Sequence, residues 1–124
     1  MSTALPLSDA QLAERNGYLT TTGRVSGRPH EIEIWFGVSP DRRSIYLLSG
    51  GGERADWVRN IDRNGAVTFR ILGETYAGSA RRASADEAQA VRESLAAKYY
   101  RWTGGELPND WSRTSLPLVI ELEA

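Results

Sequence analysis

The sequence contains no cysteine, and its 124 residues include one histidine and one lysine. The absence of cysteine excludes disulfides, thiolate nucleophiles, iron–sulfur clusters and thiolate zinc sites, so stability must come from packing. The single histidine, His30, is no basis for a metal centre. A Ser-His-Asp hydrolase is equally unsupported, because no G-x-S-x-G motif is present. We therefore expect no metal site.

A large charge excess and long apolar runs are also missing. The formal net charge of -1 creates no field that would attract a polyanion, so we expect no nucleic-acid partner. No apolar run approaches the roughly 18 residues of a membrane span, and the first residues lack a signal-peptide pattern. The sequence predicts a cytoplasmic protein without membrane insertion, folded as one domain over residues 1–124.

Hydrophobic periodicity predicts about six short strands and two to three helices. Ser8 and Ser84 each open a capping-box pattern ahead of a helical stretch. The predicted strands cover residues 18–22, 30–38, 44–49, 67–71, 75–83 and 116–123, and the predicted helices cover residues 9–15, 53–63 and 85–102. Because the connections between strands are short or hairpin-like, this order predicts a mainly β, α+β fold in which helices cover the openings of an antiparallel barrel.

Three glycines follow Ser49 between a predicted strand and a predicted helix. In this triglycine turn (residues 49–52) the backbone can approach a ligand closely, and the first amides of the helix face it unpaired. Arg54 could add a charge-assisted bond, so phosphate is the expected ligand. The alternative is that the glycines form only a flexible connector.

A second polar segment, the threonine-arginine loop (residues 20–28), enters the strand that begins at His30. Its hydroxyls and its two arginines, Arg24 and Arg28, would suit a phosphate or a carboxylate tail. A solvated hairpin loop is the competing interpretation. Farther along, Tyr99, Tyr100 and Trp102 precede a glycine-rich loop that contains Trp111. These rings form either one wall of a substrate cleft or part of the core.

Five segments, taken in order, resemble one known family over about residues 18–122. They are Thr-Thr-Gly-Arg-x-Ser-Gly-Arg-Pro from residue 21, Trp35-Phe36, Leu-Ser-Gly-Gly-Gly-Glu-Arg-Ala-Asp-Trp-Val-Arg-Asn from residue 48, Lys98-Tyr99, and Leu-Pro-Leu-Val-Ile from residue 116. Together they resemble the deazaflavin-dependent nitroreductase family of the split β-barrel flavin-binding superfamily. The resemblance implies a split barrel, coenzyme F420 as hydride donor, and reduction of a quinone, nitro compound or activated double bond.

The same resemblance implies roles for individual residues. The implied cofactor-binding residues are Thr21, Thr22, Arg24, Ser26, Arg28, His30, Ser49, Gly50, Gly51, Gly52, Arg54, Trp57 and Asn60. Tyr99 and Trp102 correspond to the substrate-side wall, and Ser49 would face the reactive centre. We hypothesise that Ser49, or a water, polarises the acceptor. A homodimer with the cofactor near its interface is also implied.

This sequence departs from the family pattern at three positions, where Val25, His30 and Gly50 replace frequent basic residues. FMN, which has a phosphate but no glutamate tail, is therefore the competing cofactor. A further alternative keeps the fold without turnover, as a protein that binds FMN, haem or a lipid-like molecule. The acceptor is expected to be a small molecule.

Overall fold

The computed structural model describes residues 4–123, which contain seven strands and four α-helices. In chain order the elements are α1 (Asp9–Ala13), β1 (Gly17–Thr22), β2 (Pro29–Ile34), β3 (Gly37–Val38), β4 (Ser44–Ser49), a 3₁₀ turn (Gly52–Arg54), α2 (Asp56–Arg63), β5 (Ala66–Ile71), β6 (Glu74–Arg82), α3 (Ala85–Tyr100), α4 (Asp110–Thr114) and β7 (Leu116–Leu122). None of the described helices has the length and apolar character needed to cross a membrane.

All seven strands belong to one antiparallel sheet, in the order β2-β1-β5-β6-β7-β4-β3. Its two end strands, β2 and β3, are consecutive in the chain and are joined only by Trp35 and Phe36. Three peptide steps reach at most about 11 Å, so the two edges of the sheet must lie near each other at this link. The sheet is therefore curled into a split β-barrel, as the resemblance implied.

The sheet packs its apolar side chains into two clusters. The larger one fills the barrel and includes Leu19, Phe36 and Phe69, all fully buried. The smaller one joins Val91 and Leu95 of α3 to the opposite face of β4 and β7. β4 is consequently buried on both faces, which explains why its sequence lacks the alternation of a half-buried strand.

Two predicted elements differ from the observed ones. The strand predicted over residues 30–38 is divided into β2 and β3, because the backbone at Phe36 bonds to α3 instead of to a neighbouring strand: its N–H donates to Tyr99 Oη at 2.9 Å, and its carbonyl accepts from Lys98 Nζ at 3.1 Å. The loop predicted over residues 103–115 contains α4, whose first turn is capped by Asn109. These differences account for seven strands and four helices instead of about six and two to three.

The Asn64-Gly65 pair has the pattern of a helix C-cap in the sequence, but this glycine has a different role in the structure. The C-cap residue of α2 is Asn64, whose φ of -147° is extended, and Gly65 does not have a positive φ. A methyl group on Gly65 would lie 2.7 Å from the carbonyl oxygen of Ala80. Glycine is therefore needed here because the chain passes directly against β6.

Candidate functional site

A groove runs between β2, which is an end strand of the sheet, and the segment formed by the triglycine turn and α2. It consists of two adjoining cavities of about 390 and 360 Å³, and both are lined by Ile32 and Trp57. The larger, here called the polar cavity, is lined by the threonine-arginine loop and by α2. The smaller, the aromatic cavity, is lined by the triglycine turn and three further aromatic rings.

Asn60 of α2 joins the threonine-arginine loop to the helix. Its side chain is 3% exposed, and its Nδ2 donates to Thr21 Oγ1 at 3.0 Å. Its Oδ1 accepts from the backbone N–H of Arg24 at 3.1 Å and from the guanidinium of Arg24 at 3.0 Å. One amide thus satisfies three groups of the loop, so the loop and α2 form a single wall of the polar cavity.

Arg24 also forms an ion pair with α2. Its guanidinium pairs with Asp56 at 3.1 Å, and the Asp56 carboxylate is largely exposed at the rim of the cavity. Gly23 lies close beside Arg24: a methyl group at this position would be 2.7 Å from both the His30 ring and Ser26 Oγ. These contacts bring Ser26 and His30 to the same cavity as Arg24.

The triglycine turn forms the floor of the aromatic cavity. Ser49 is buried, and its hydroxyl donates to the carbonyl oxygen of Gly52 at 3.0 Å, which closes the turn. Gly52 has a φ of +61°, a conformation that favours glycine. Ala55, the N-cap residue of α2, makes no side-chain capping bond, so the cap itself leaves the first amides of this helix unpaired.

The aromatic wall of the second cavity is made by Trp35, Tyr100 and Trp111. The rings of Trp35 and Trp111 meet edge to face, with centroids 5.7 Å apart, and Tyr100 lies 6.1 Å from each of them. Such an arrangement presents flat apolar surface to a planar ligand.

Tyr99 lies behind this wall. Its ring stacks on Trp35 at 4.2 Å, and its hydroxyl donates to the Arg15 carbonyl at 2.7 Å while it accepts from Phe36 N–H. Burial raises the pKa of Tyr99 to about 12. Its neighbour Lys98 is also half-buried, 3.6 Å from the centre of the Phe36 ring, and burial lowers the pKa of Lys98 to about 8.

The groove contains most of the residues that the resemblance assigned to the cofactor. Those in the cavity linings are Thr21, Arg24, Ser26, His30, Ser49, Gly50, Gly51, Trp57 and Asn60. Thr22 lines a shallow depression on another side of β1, and neither Arg28, Gly52 nor Arg54 belongs to the described linings. Arg28 and Arg54 are both exposed.

Tyr99 and Trp102 were expected to form the substrate-side wall, but neither is among the described residues that line the groove. Tyr99 supports Trp35 from behind, and the indole N–H of Trp102 donates to the carbonyls of Gly105 and Glu106. Tyr100 occupies the wall because α3 ends there and Arg101 turns the chain with a φ of +55°. Trp35 is the ring that sequence reasoning did not select, since the alternation placed it on a strand.

No group of three or more histidine, aspartate or glutamate side chains within residues 4–123 could hold a metal ion. The groove offers hydroxyl, amide, guanidinium, imidazole and backbone N–H groups, which can bind phosphate and planar heterocycles. The carboxylates of Glu31, Glu33 and Asp56 also line it, and they are paired with Arg70, Tyr18 and Arg24, respectively.

The model of the F420H(2)-dependent quinone reductase family matches residues 10–123. No curated protein matches the chain. Among solved structures, one described as an F420 reductase is 21% identical, with 97% of each chain covered and a TM-score of 0.66. A candidate 5-nitroimidazole antibiotic resistance protein of Bacteroides thetaiotaomicron is 13% identical, with 93% of this chain and 76% of that chain covered and a TM-score of 0.71.

A haem-binding protein of Mycobacterium smegmatis has the same fold, with 20% identity, 97% of this chain and 53% of that chain covered, and a TM-score of 0.64. At these identities the likeness to solved structures establishes the fold, whereas the match of the family model covers nearly the whole chain.

Proposed function

Because the chain belongs to the F420H2-dependent quinone reductase family, we propose that this F420-dependent reductase transfers hydride to a quinone, a nitro compound or an activated double bond held in the aromatic cavity. The observation that carries this proposal is the continuous groove, in which a polar cavity and an aromatic cavity meet at Trp57. Such a groove suits a cofactor with a planar ring and a phosphorylated tail, next to a second flat molecule.

The residues of the groove fit the two ends of that cofactor. In the polar cavity, Arg24, Ser26 and His30 would hold the phosphate and tail, with Thr21 and Asn60 fixing the loop. Gly50 and Gly51 let the ring approach the backbone of the triglycine turn. When bound, reduced coenzyme F420 supplies the hydride, while Trp57 and the aromatic wall orient the two flat molecules and exclude water.

Ser49 is proposed to lie where the ring and the acceptor meet. Because its hydroxyl already donates to Gly52, it must leave that carbonyl before it can polarise an acceptor. Ser49→Ala separates the two roles. We expect weaker cofactor binding through loosening of the turn; a fall in kcat with unchanged cofactor affinity would instead assign the hydroxyl to the acceptor.

The proposal is tested by titrating the purified protein with oxidised F420 and, separately, with FMN, and by following binding by fluorescence. We expect F420 to bind more tightly and the reduced form to be reoxidised when menadione, a nitroarene or a cyclic enone is added. Binding of FMN alone, or binding of F420 without reoxidation by any of the three acceptors, would contradict the proposal and favour the carrier alternative.

A homodimer is also proposed, with the groove near its interface. The family resemblance supports it, and Val25, an apolar side chain that is 94% exposed at the rim of the polar cavity, is the position at which we test it. Sedimentation equilibrium of the wild-type protein and of Val25→Ser distinguishes a dimer that uses this surface from a monomer.

A further inference from the structure

Five side chains able to donate a hydrogen bond line the aromatic cavity. They are Ser49, Tyr100, Trp35, Trp57 and Trp111. An acceptor that receives a hydride develops negative charge on its carbonyl or nitro oxygen, so a donor aimed at that oxygen accelerates the reaction. The contacts of these five groups distinguish them from one another.

Trp111 is the ring that lies directly against the triglycine turn. A methyl group on Gly50 would lie 3.3 Å from its Cδ1 and 3.4 Å from its Nε1, so the indole nitrogen stands at the floor of the cavity. Within residues 4–123 this nitrogen has no acceptor, and no buried side-chain nitrogen or oxygen of these residues is left without a partner. The N–H of Trp111 therefore opens onto accessible space beside the turn.

The other four donors are less suited to the acceptor oxygen. The hydroxyl of Ser49 is bound to Gly52, and Tyr100 is 40% exposed, so water competes for its hydroxyl. The Trp35 ring lies flat against Tyr99, and Trp57 is shared by the two cavities; of the three tryptophans, Trp111 is the one that lies against Gly50 of the triglycine turn.

α4 holds Trp111 in a fixed position. Asn109 and Ser112 form a capping box, with Ser112 N–H donating to Asn109 Oδ1 at 2.9 Å. Arg92 of α3 donates to the carbonyl of Ser112 at 3.1 Å, and Arg113 donates to that of Leu107 at 2.7 Å. Such a preorganised donor loses little entropy when an acceptor arrives.

We infer that Trp111 is a catalytic residue of the proposed reaction: its indole N–H donates a hydrogen bond to the carbonyl or nitro oxygen of the acceptor. This inference rests on the proposed function. The acceptor gains a hydride from the reduced cofactor, which is oxidised by two electrons, and one proton from solvent. Trp111 supplies no proton, because an indole N–H is too weak an acid to release it; it donates a hydrogen bond that stabilises the negative charge on the oxygen.

Trp111→Phe keeps an aromatic ring beside Gly50, and it removes the N–H together with one ring of the indole. We expect menadione to bind the cofactor-free protein about three- to tenfold more weakly, as for the loss of one hydrogen bond, with oxidised F420 bound as in the wild type. In infrared difference spectra, the carbonyl stretch of bound menadione should lie at lower frequency in the wild type than in Trp111→Phe. A ring that served only for packing would not change this frequency.

Trp102→Phe is the matched comparison, because the N–H of Trp102 is bonded to backbone carbonyls outside the groove. Trp102→Phe should keep the lower carbonyl stretching frequency that bound menadione has in the wild type. The inference is overturned if Trp111→Phe keeps the wild-type stretch and affinity, if Trp57→Phe loses the shift in its place, or if menadione does not bind. Because the affinity and the infrared spectrum of menadione are measured without cofactor, they remain decisive if F420 turnover fails, and a failure of Trp111 alone leaves the proposed function standing.

Discussion

Asn60 is a buried amide whose three hydrogen bonds all go to the threonine-arginine loop. Asn60→Ala would leave the Thr21 hydroxyl and the Arg24 backbone N–H without their described partner. We expect the free energy of unfolding to fall by about 1–3 kcal/mol, since groups buried without a hydrogen bond cost that much. Affinity for F420 should fall as well, because the wall of the polar cavity loses its connection to α2.

Urea unfolding followed by tryptophan fluorescence measures this change. Arg63→Ala is the control, because Arg63 is exposed on the last turn of the same helix. We expect it to change stability by no more than about 0.5 kcal/mol. Equal stability of Asn60→Ala and Arg63→Ala would show that the amide does not hold the loop.

A motif in the sequence placed some single residues at the groove, while their roles in binding stay a prediction. Asn60 and Trp57 lie in the longest segment of the family resemblance, and both line the groove. Tyr99 and Trp102 share a helical pattern with Tyr100, but the helix ends at Tyr100, and this one position decides which ring faces the cavity. Periodicity alone locates the end of a helix only to within about one or two residues. The contact of Trp111 with Gly50 depends on tertiary packing alone.

The first turn of α3 is joined to the sheet through Glu87. This carboxylate accepts from the Arg81 guanidinium at 2.6 and 2.9 Å and from the Ser84 backbone N–H at 2.9 Å, and Arg81 also pairs with Glu121 of β7. The Arg81 guanidinium, and then the Ser84 N–H, lower the pKa of Glu87 to about 2 from an ordinary value of 4.5.

A lowered carboxyl pKa stabilises the folded state above the unfolded pKa, and this contribution is lost as the pH falls through the folded value. Unfolding free energy should therefore decrease between about pH 4.5 and 2, and Glu87→Gln should show a smaller decrease over the same range. Urea unfolding at a series of pH values measures both slopes. A slope unaltered by Glu87→Gln would contradict this role.

Elements with strong local signals agree with the sequence. The capping boxes at Ser8 and Ser84 both form, and β4 has the predicted bounds of residues 44–49. The break between β2 and β3 was not predictable, because the alternation of apolar residues continues through Trp35 and Phe36. Partners on α3 that lie far away in sequence, Lys98 and Tyr99, take the backbone bonds of Phe36 there.

The whole barrel depends on that link, since it joins the two end strands of the sheet. α3 therefore holds the two end strands together at this link. Tyr99 and Lys98 bind the Phe36 backbone, Lys98 lies over the Phe36 ring, and Tyr99 also donates to the Arg15 carbonyl beyond α1. We call these contacts of Lys98 and Tyr99 the α3 clasp. The overall antiparallel architecture followed from short connections and hairpin turns, whereas closure by a helix could only be seen in three dimensions.

Two half-buried groups in this clasp titrate in opposite senses. Burial lowers the pKa of Lys98 to about 8, although Glu14 opposes the shift, so between pH 8 and 10.5 the unfolded chain binds a proton that the folded chain has released. Stability should rise with pH over that range. Burial raises the pKa of Tyr99 to about 12, with Arg15 opposing, so between pH 10 and 12 the folded chain keeps a proton that the unfolded chain loses, and stability should fall.

The free energy of unfolding is consequently expected to pass through a maximum near pH 10, set by these opposing titrations. Lys98→Met should remove the rise on the acid side of that maximum. Tyr99→Phe should reduce the fall on its alkaline side without abolishing it, because the pKa values of Tyr18 and Tyr46 are also raised. Urea unfolding from pH 7 to 12 tests all three proteins. A wild-type curve that only declines over this range would mean that Lys98 is solvated, and the α3 clasp would then be looser than its contacts with Phe36 indicate.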